Sequence, residues 1–418
     1  MHCKPRVVIT GLGVVAPNGI GKDAFWEALL AGHSGIDRIT RFDASHYPCQ
    51  IAGEVRDFQP QAYLDPQARK RLPRASQFAI ATAKMAIADA ELQVTPANAS
   101  HIGVCFGTSM GKAETFETDH LPFLRRGVRG IHPLTVVEIP AHGMSSHVAI
   151  ALGVAGVCGT ISMGCTTGLD VMQWGAMQIA SGRATAMIVG CAEAILSPFA
   201  FATLCAAGVL SRRNHAPQEA SRPFEKNRDG MVLSEGAAAL VLEELDHARA
   251  RQAPIYAEIL GYASARDGSD MVRCDLSGTG MAQVMATTMT QAGLARQHID
   301  YISAHGSSLR DYDQAETQAI KTVFGRQAYN IPVSSIKSMI GQPLAAAGAL
   351  QVAAACLTLQ HGLIPPTINY HTPDPCCDLD YVPHRARRAR IGTVLVHAHG
   401  MGGTDSALVL GRGKPARE

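Results

Sequence analysis

The sequence predicts an α/β fold built from two related halves, and three observations carry that expectation. Short β-rich runs recur along the chain, each ends in glycine or another small residue, and each is followed by a helical pattern. The series then returns a second time. Its runs are nearly continuous in apolar residues, as strands buried on both faces require.

In chain order, the first series reads "RVVITGLGVV" at 6–15, "IGVCFGT" at 102–108, "TISMG" at 160–164 and "AMIVGC" at 186–191. The second reads "IYAEILGY" at 255–262, "DYISAHG" at 300–306, "IPVSSIK" at 331–337 and "TVLVHAHG" at 393–400. Helical patterns at 76–92, 168–182, 280–294 and 345–361 are apolar enough to lie inside the protein. The joint falls near 245–254, where "LDHARARQAP" is the most polar passage between two strands, giving halves of residues 1–250 and 251–418. No Ser/Gly/Pro linker or low-complexity tract separates them, so they are expected to pack as one unit.

Composition narrows the function classes. The chain has 418 residues, 47% hydrophobic and 17% charged, enough for a large core. A formal net charge of +2 gives no bulk attraction for nucleic acid. The longest apolar stretches, 148–158 and 344–358, are interrupted and shorter than the roughly 18 residues of a membrane span, so both are expected in the core and no membrane partner is predicted. The opening "MHCKPRVVITGLG" runs straight into a strand pattern, which points to the cytoplasm. Eleven cysteines without CxxC spacing point to free thiols and to no metal site, with Cys376 and Cys377 as packing residues. Basic clusters at Arg69, Lys70, Arg71 and Arg74, at Arg125, Arg126 and Arg129, and at Arg212 and Arg213 read as solvated faces when each is taken alone.

Chemistry concentrates at strand ends. In "ISMGCTTGLD", Cys165 precedes a helix whose apolar positions Leu169, Met172, Ala176 and Ile179 are spaced by three and four, so its sulfur should meet a helix N-terminus that favours thiolate. Gly164 and Gly168 allow a tight turn and a close backbone approach. His305 in "AHGSS" and Lys337 in "SSIKSMIGQPLAAAGALQ" end two further strands. A fourth ends in "HAHGMGGTD", where Gly400, Gly402 and Gly403 suit a loop offering N–H groups to an oxyanion. Four such strand ends suggest one convergent site.

With these passages together, residues 5–412 resemble a β-ketoacyl-[acyl carrier protein] synthase of the thiolase-like fold. "GCTTGLD", "SRPFEKNRDGMVLSEGAA", "IPVSSIKSMIG" and "PDPCCDLDYVP" look most like ketosynthase subunits of type II polyketide synthases. The resemblance implies a five-layered αβαβα architecture of two pseudo-equivalent halves. It implies a decarboxylative Claisen condensation between a Cys-bound acyl chain and malonyl-carrier protein, with no cofactor beyond the phosphopantetheine arm of acyl carrier protein.

Matched by position, Cys165 is the implied nucleophile, and the backbone N–H groups of Cys165 and Met401 form the oxyanion hole. His305 donates to the malonyl thioester carbonyl. Lys337 with Glu316, and behind them Asp313 and Glu235, form the implied charged surroundings, which a purely structural ion network would also explain. Arg69, Lys70, Arg71, Arg125, Arg129 and Arg213 match regions where relatives dock an acidic carrier protein.

Three departures stand out. Gln342, followed by Pro343, replaces the second histidine; its amide keeps N–H donors but cannot titrate, and proline favours an extended Gln342. Leu309 replaces a threonine that binds the pantetheine arm, while Ser307 keeps a hydroxyl. Met401 replaces a gating phenylalanine, with His399 and Asp405 also unusual, which predicts a looser acyl gate.

Fatty acid elongation shares this chemistry. A non-decarboxylating acyltransferase fits the missing histidine, and a non-catalytic partner subunit is disfavoured by Cys165. The resemblance also implies a homodimer, or a heterodimer with a chain-length-factor-like subunit.

Overall fold

A computed structural model describes residues 5–111, 113–268, 270–271 and 273–412. Ten strands form the main path of its large sheet. The first five are β1 (Val7–Ala16), β2 (Ile102–Gly107), β3 (Cys158–Ile161), β4 (Ala186–Glu193) and β5 (Gly236–Glu244). The second five are β6 (Ala257–Arg266), β7 (Tyr301–Ser303), β8 (Val333–Ser334), β9 (Thr393–Gly400) and β10 (Thr404–Gly411).

The spatial order is β1-β5-β4-β2-β3 in one half and β6-β10-β9-β7-β8 in the other. Directions repeat as well: two antiparallel pairings lead into two parallel ones in each half. The halves join where β1 meets β6, at Val8 opposite Glu258 and Ile9 opposite Ala257.

Six helices complete five layers: α1 (Arg74–Asp89), α2 (His142–Leu152), α3 (Thr167–Ala180), α4 (Thr279–Gln291), α5 (Arg310–Phe324) and α6 (Ala345–His361). Helices α1 and α2 cover the outer face of the first half, α4 and α5 that of the second, and α3 and α6 fill the space between. Every residue of α6 from Ala345 to Leu359 is buried, as a helix walled by sheets on both sides must be. The crossing of α3 and α6 depends on Gly168, where an added Cβ would lie 2.3 Å from the Ala349 nitrogen. That close approach fixes the start of α3 against α6.

Several expectations are corrected. Strands β5 and β10 lie outside the predicted runs; "GAAALVLEE" and "TDSALVLG" do not lead through a small residue into a helix, and each returns antiparallel beside its neighbour. The run at 160–164 is a strand only over Cys158–Ile161, and 331–337 only over Val333–Ser334, because Gly164 and Lys337 already begin helical turns. Stretch 344–358 is buried, but 148–158 is not: Ile150 is 78% exposed and Cys158 is exposed on the outer edge strand β3. Of the paired cysteines, Cys377 is buried and Cys376 exposed, and every cysteine among the described residues is a free thiol. No helix among the described residues is long and apolar enough to cross a membrane.

Candidate functional site

Cys165 sits in a 3-10 turn, Gly164–Thr166, that runs directly into α3. Gly164 takes a left-handed φ of 65°, which glycine adopts without a side-chain penalty. Thr166 Oγ1 donates to Asp170 Oδ2 at 2.9 Å, and the Met163 N–H donates to Thr167 Oγ1 at 2.9 Å, closing the turn. Gly400 at the end of β9 packs against it; a Cβ there would lie 3.3 Å from the Cys165 nitrogen. The glycine loop at 400–403 and the Cys165 N–H therefore face one another, as an oxyanion site needs. The expected bias towards thiolate is overturned: burial pushes the Cys165 thiol up to about 12, against the opposing pull of the Lys337 charge. Burial therefore favours the neutral thiol at this position.

His305 follows β7, and its backbone is gripped from both sides. Glu316 on α5 accepts from the His305 N–H at 2.7 Å and the Gly306 N–H at 2.8 Å. Lys337 donates through Nζ to the His305 carbonyl at 2.6 Å and to Gln351 Oε1 at 3.0 Å. Lys337 and Glu316 thus hold the histidine loop without pairing directly, which refines the expected ion network. Burial lowers the Lys337 ammonium to about 8.

The imidazole of His305 is also oriented. Its Nδ1 accepts from the His399 N–H at 3.2 Å, and its Nε2 is buried with no partner. Burial, then the Lys337 charge, push it well below the usual histidine range, so the ring is neutral. A neutral ring that accepts at Nδ1 carries its proton on Nε2, so His305 presents an unpaired N–H donor to the site.

Gln342 is bound through its backbone, donating to the Val232 carbonyl at 2.7 Å and accepting from the Ser234 N–H at 3.2 Å. It pairs with Leu233 as a bridge, the extended form that Pro343 demands. Its side chain is buried, and Oε1 has no partner. A buried amide with an orphaned oxygen is costly unless a ligand completes it.

The other expected residues divide. Asp313 accepts from the N–H groups of Ser307 at 2.9 Å and Phe224 at 2.8 Å and pairs with Arg228 Nε at 3.3 Å, shaping the loop behind His305. Glu235 is not behind the histidine: its carboxylate turns to Arg74, at 2.7 and 2.8 Å, and to the Val55 N–H, at 2.8 Å. Buried charge seeks the cation on α1, and the site loses that residue. Ser307 is buried, and its Oγ accepts from the Leu309 N–H at 3.4 Å. Leu309 packs in the same apolar cluster as Cys165. Met401 is 42% exposed and stands at the mouth of the site, not in a packed gate.

Among the basic residues, Lys70 and Arg71 line a surface groove of about 530 Å³ with Arg41, Arg74 and His132, but Glu114, Asp119 and Glu138 line it too. Arg69 is half-buried on the same short helix, Pro66–Arg71, whose chain continues into α1. Arg125 and Arg129 are exposed beyond that groove, and Arg213 leans on the Asn227 carbonyl at 3.5 Å. The structure brings together the first cluster only.

Behind His305 lies a network that sequence reasoning saw only in part, naming Glu316 and noting His399 and Asp405 as unusual but not His397 or the pairings. His397 Nδ1 meets Glu316 Oε1 at 2.6 Å, and His399 Nδ1 meets Asp405 Oδ1 at 2.7 Å. Asp405 also lies 3.8 Å from His397 Nε2. Burial disfavours charge on His397, yet Asp405 and Glu316 on either side raise its imidazole to about 9. The same partners overcome burial to hold Glu316 and Asp405 below the usual carboxylate range. Tyr312 on α5 closes the edge, its ring 4.5 Å from that of His399. The available signal was period two: His397 and His399 share one face of β9, and His399 falls opposite Asp405 across the β9–β10 pair.

Comparisons with known proteins identify the family. The family model described as "Beta-ketoacyl synthase, N-terminal domain" matches residues 4–248, and "Beta-ketoacyl synthase, C-terminal domain" matches 256–371. The chain is 44% identical over 409 residues to 3-oxoacyl-[acyl-carrier-protein] synthase 2 of Coxiella burnetii, covering 98% of this chain and 99% of that protein. It is 42% identical over 423 residues to the tetracenomycin polyketide synthase ketoacyl synthase alpha subunit of Streptomyces glaucescens, covering 100% and 99%. Among solved structures, a type II polyketide synthase acyl-carrier protein in complex with its ketosynthase bound to the hexaketide matches with a TM-score of 0.91 at 35% identity, over 99% of this chain and 100% of that one. The ishigamide ketosynthase/chain length factor matches with a TM-score of 0.92 at 33% identity, over 99% and 100%.

Proposed function

Because the chain belongs to the β-ketoacyl synthase family, we propose that it extends a Cys165-bound acyl chain by decarboxylative condensation with malonyl-carrier protein in a type II polyketide pathway. The observation that carries this is the buried, unpaired Nε2–H of neutral His305, at the strand end that converges with Cys165 and the glycine loop. An enolate oxygen needs a fixed donor, and a neutral imidazole with its other nitrogen occupied is one.

Each residue then has a task. The Cys165 thiol attacks the acyl thioester, and the N–H groups of Cys165 and Met401 receive the developing oxyanion. When the malonyl carboxylate leaves as CO2, its bonding electrons form the enolate, and His305 Nε2–H with the Gln342 amide holds the enolate oxygen. Lys337, Glu316 and Asp313 keep the histidine loop in place and are positioning residues. Glu235 with Arg74 supports the carrier-protein face. The substrates arrive on phosphopantetheine, past Ser307, Leu309 and Met401.

Relatives of both 3-oxoacyl-[acyl-carrier-protein] synthase and polyketide type match at similar identity; the solved type II polyketide synthase complex, at a TM-score of 0.91, favours the polyketide assignment. Acyl carrier protein is the proposed partner, docking at Arg69, Lys70, Arg71, Arg125, Arg129 and Arg213. A second copy, or a chain-length-factor-like subunit, is proposed along exposed β3. Residues 1–250 and 251–418 are the proposed halves, and the cytoplasm the proposed location.

Intact-mass spectrometry tests the function. Acyl-carrier protein and then malonyl-carrier protein are added to the wild type, with its partner subunit, and to Cys165→Ala and Gln342→His. Cys165 should gain the acyl mass, and a β-ketoacyl-carrier product should follow; Cys165→Ala should do neither. Acylation without CO2 loss, restored by Gln342→His, would identify a non-decarboxylating acyltransferase, the reading that Gln342 favours.

A further inference from the structure

Tyr312 brings up to the reacting residues a phenol that neither the acyl transfer nor the condensation uses. It is the third residue of α5, with Leu309 three positions before it and Glu316 four after, so the three share one face of the helix. That face is turned to the His305 loop, because Glu316 grips the His305 and Gly306 N–H groups. One turn nearer the helix start, the Tyr312 ring lies 6.3 Å from the His305 ring and 4.5 Å from that of His399, edge-on to the latter at 85°. His399 leads into Gly400, which packs on the Cys165 nitrogen. Tyr312 therefore spans the two loops between which a thioester must enter. Helical side chains lean towards the helix N-terminus, which tips the phenol towards Leu309 and Ser307.

The hydroxyl has no hydrogen-bond partner among the described residues, although the side chain is half-buried. Burial, and after it the Cys165, Cys274, Asp267 and Asp405 groups, raise the phenol above its usual range. At neutral pH it is an O–H donor. Cys165 acts on it most strongly of those four groups, so the hydroxyl stands on the side of the nucleophile. Asp267 and Asp405 make the surroundings negative, which turns away an anion such as the malonyl carboxylate. What suits the phenol is a neutral acceptor, the partner that a buried tyrosine hydroxyl ordinarily finds. Leu309 and Met401, on the same route, have no side-chain donor to compete for it.

Resting on the reading that acyl groups reach Cys165 on phosphopantetheine, we propose that Tyr312 is a binding residue for that arm, its O–H donating to the amide carbonyl nearest the thioester. The phenol makes and breaks no covalent bond. It holds the arm while His305 and the glycine loop address the thioester, so the enzyme selects a substrate by its arm as well as by its acyl group.

The test follows acylation of Cys165 by intact mass with two hexanoyl thioesters, one of pantetheine and one of mercaptoethanol, which has no amide, in the wild type and in Tyr312→Phe. Phenylalanine keeps the ring against His305 and His399 and removes only the donor. It should raise KM for the pantetheine thioester roughly three- to tenfold, the range of one neutral hydrogen bond, with kcat unchanged. On the mercaptoethanol thioester the variant should match the wild type, which also shows that the fold is intact. Equal loss on both thioesters would make Tyr312 a structural residue, and no loss on either would show that the phenol does not hold the arm; each result overturns the proposal. A wild type that acquires the acyl mass from neither thioester would instead overturn the assignment of Cys165.

Discussion

At Gln342 one side chain decides how much of the condensation chemistry survives a substitution. The amide is buried, its backbone is pinned at 2.7 and 3.2 Å, and its Oε1 has no partner. The unpartnered oxygen can only accept, so the donor role belongs to the Nε2 N–H groups of the same held amide, which do not titrate. Gln342→Ala should therefore slow β-ketoacyl formation on the order of a hundredfold, corresponding to about 3 kcal/mol of lost oxyanion stabilisation, while acyl loading of Cys165 is unchanged. Parallel measurement of the two half-reactions by mass spectrometry checks this, and equal loss in both would assign Gln342 a structural part only. The sequence marked Cys165 and His305 because each follows a strand beside a glycine, and Gln342 only through the resemblance, as the residue at the position of a second histidine. It misdirected Glu235, whose charge partner, Arg74, is 161 positions away and leaves no local pattern.

The same limit holds for elements. Strands that end in glycine and lead into helices announced themselves, so β1, β2, β4, β6 and β9 lay where apolar runs stood. β5 and β10 did not: β5 runs through Glu243 and Glu244 straight into a short helix, Leu245–Ala250, without a small residue between, and no helix follows β10 among the described residues. The α3–α6 crossing was visible only as Gly168, read as allowing a close backbone approach; the 2.3 Å clearance there shows which backbone approaches, that of Ala349. Strands β9 and β10 with α5 also bury the His397, Glu316 and Asp405 network, and that makes stability depend on pH. His397 is raised from 6.5 to about 9, so between those values the folded state holds a proton that the unfolded state releases. Its contribution is complete below pH 6.5 and falls as pH rises towards 9, by about 1.4 kcal/mol per pH unit. Lys337, lowered from 10.5 to about 8, has the opposite sign and enters only above pH 8. Asp313, raised from 3.8 to about 7 by burial, adds a fall of its own up to about pH 7, so between pH 7 and 8 the slope belongs to His397. Denaturant melts across that window should show stability falling with pH in the wild type and a flatter profile in His397→Asn; identical slopes would mean that the imidazole is not charged in the fold.

Over the whole molecule, a formal net charge of +2 says little about partners, but placement says more. Lys70 and Arg71 share a groove with Arg41 and Arg74, and Arg74 is held there by the buried Glu235 carboxylate, so the core fixes part of this basic face. Exposed charges steer encounter more than they hold a complex, and salt screens them over about 10 Å at 0.1 M. Carrier-protein transfer should therefore slow as ionic strength rises, while reaction with a small pantetheine thioester should not. Reversing charge with Arg69→Glu and Arg213→Glu should remove most of that salt dependence and slow transfer from carrier protein at least tenfold, about 1.4 kcal/mol, with the small thioester unaffected. The two positions lie on separate parts of the surface, so each single variant also matters. Loss from Arg69→Glu alone would confine docking to the groove beside α1, and loss from both would extend the carrier protein's footprint to the turn after Ser211. Equal slowing on both substrates would show that the arginines support the fold and not the encounter.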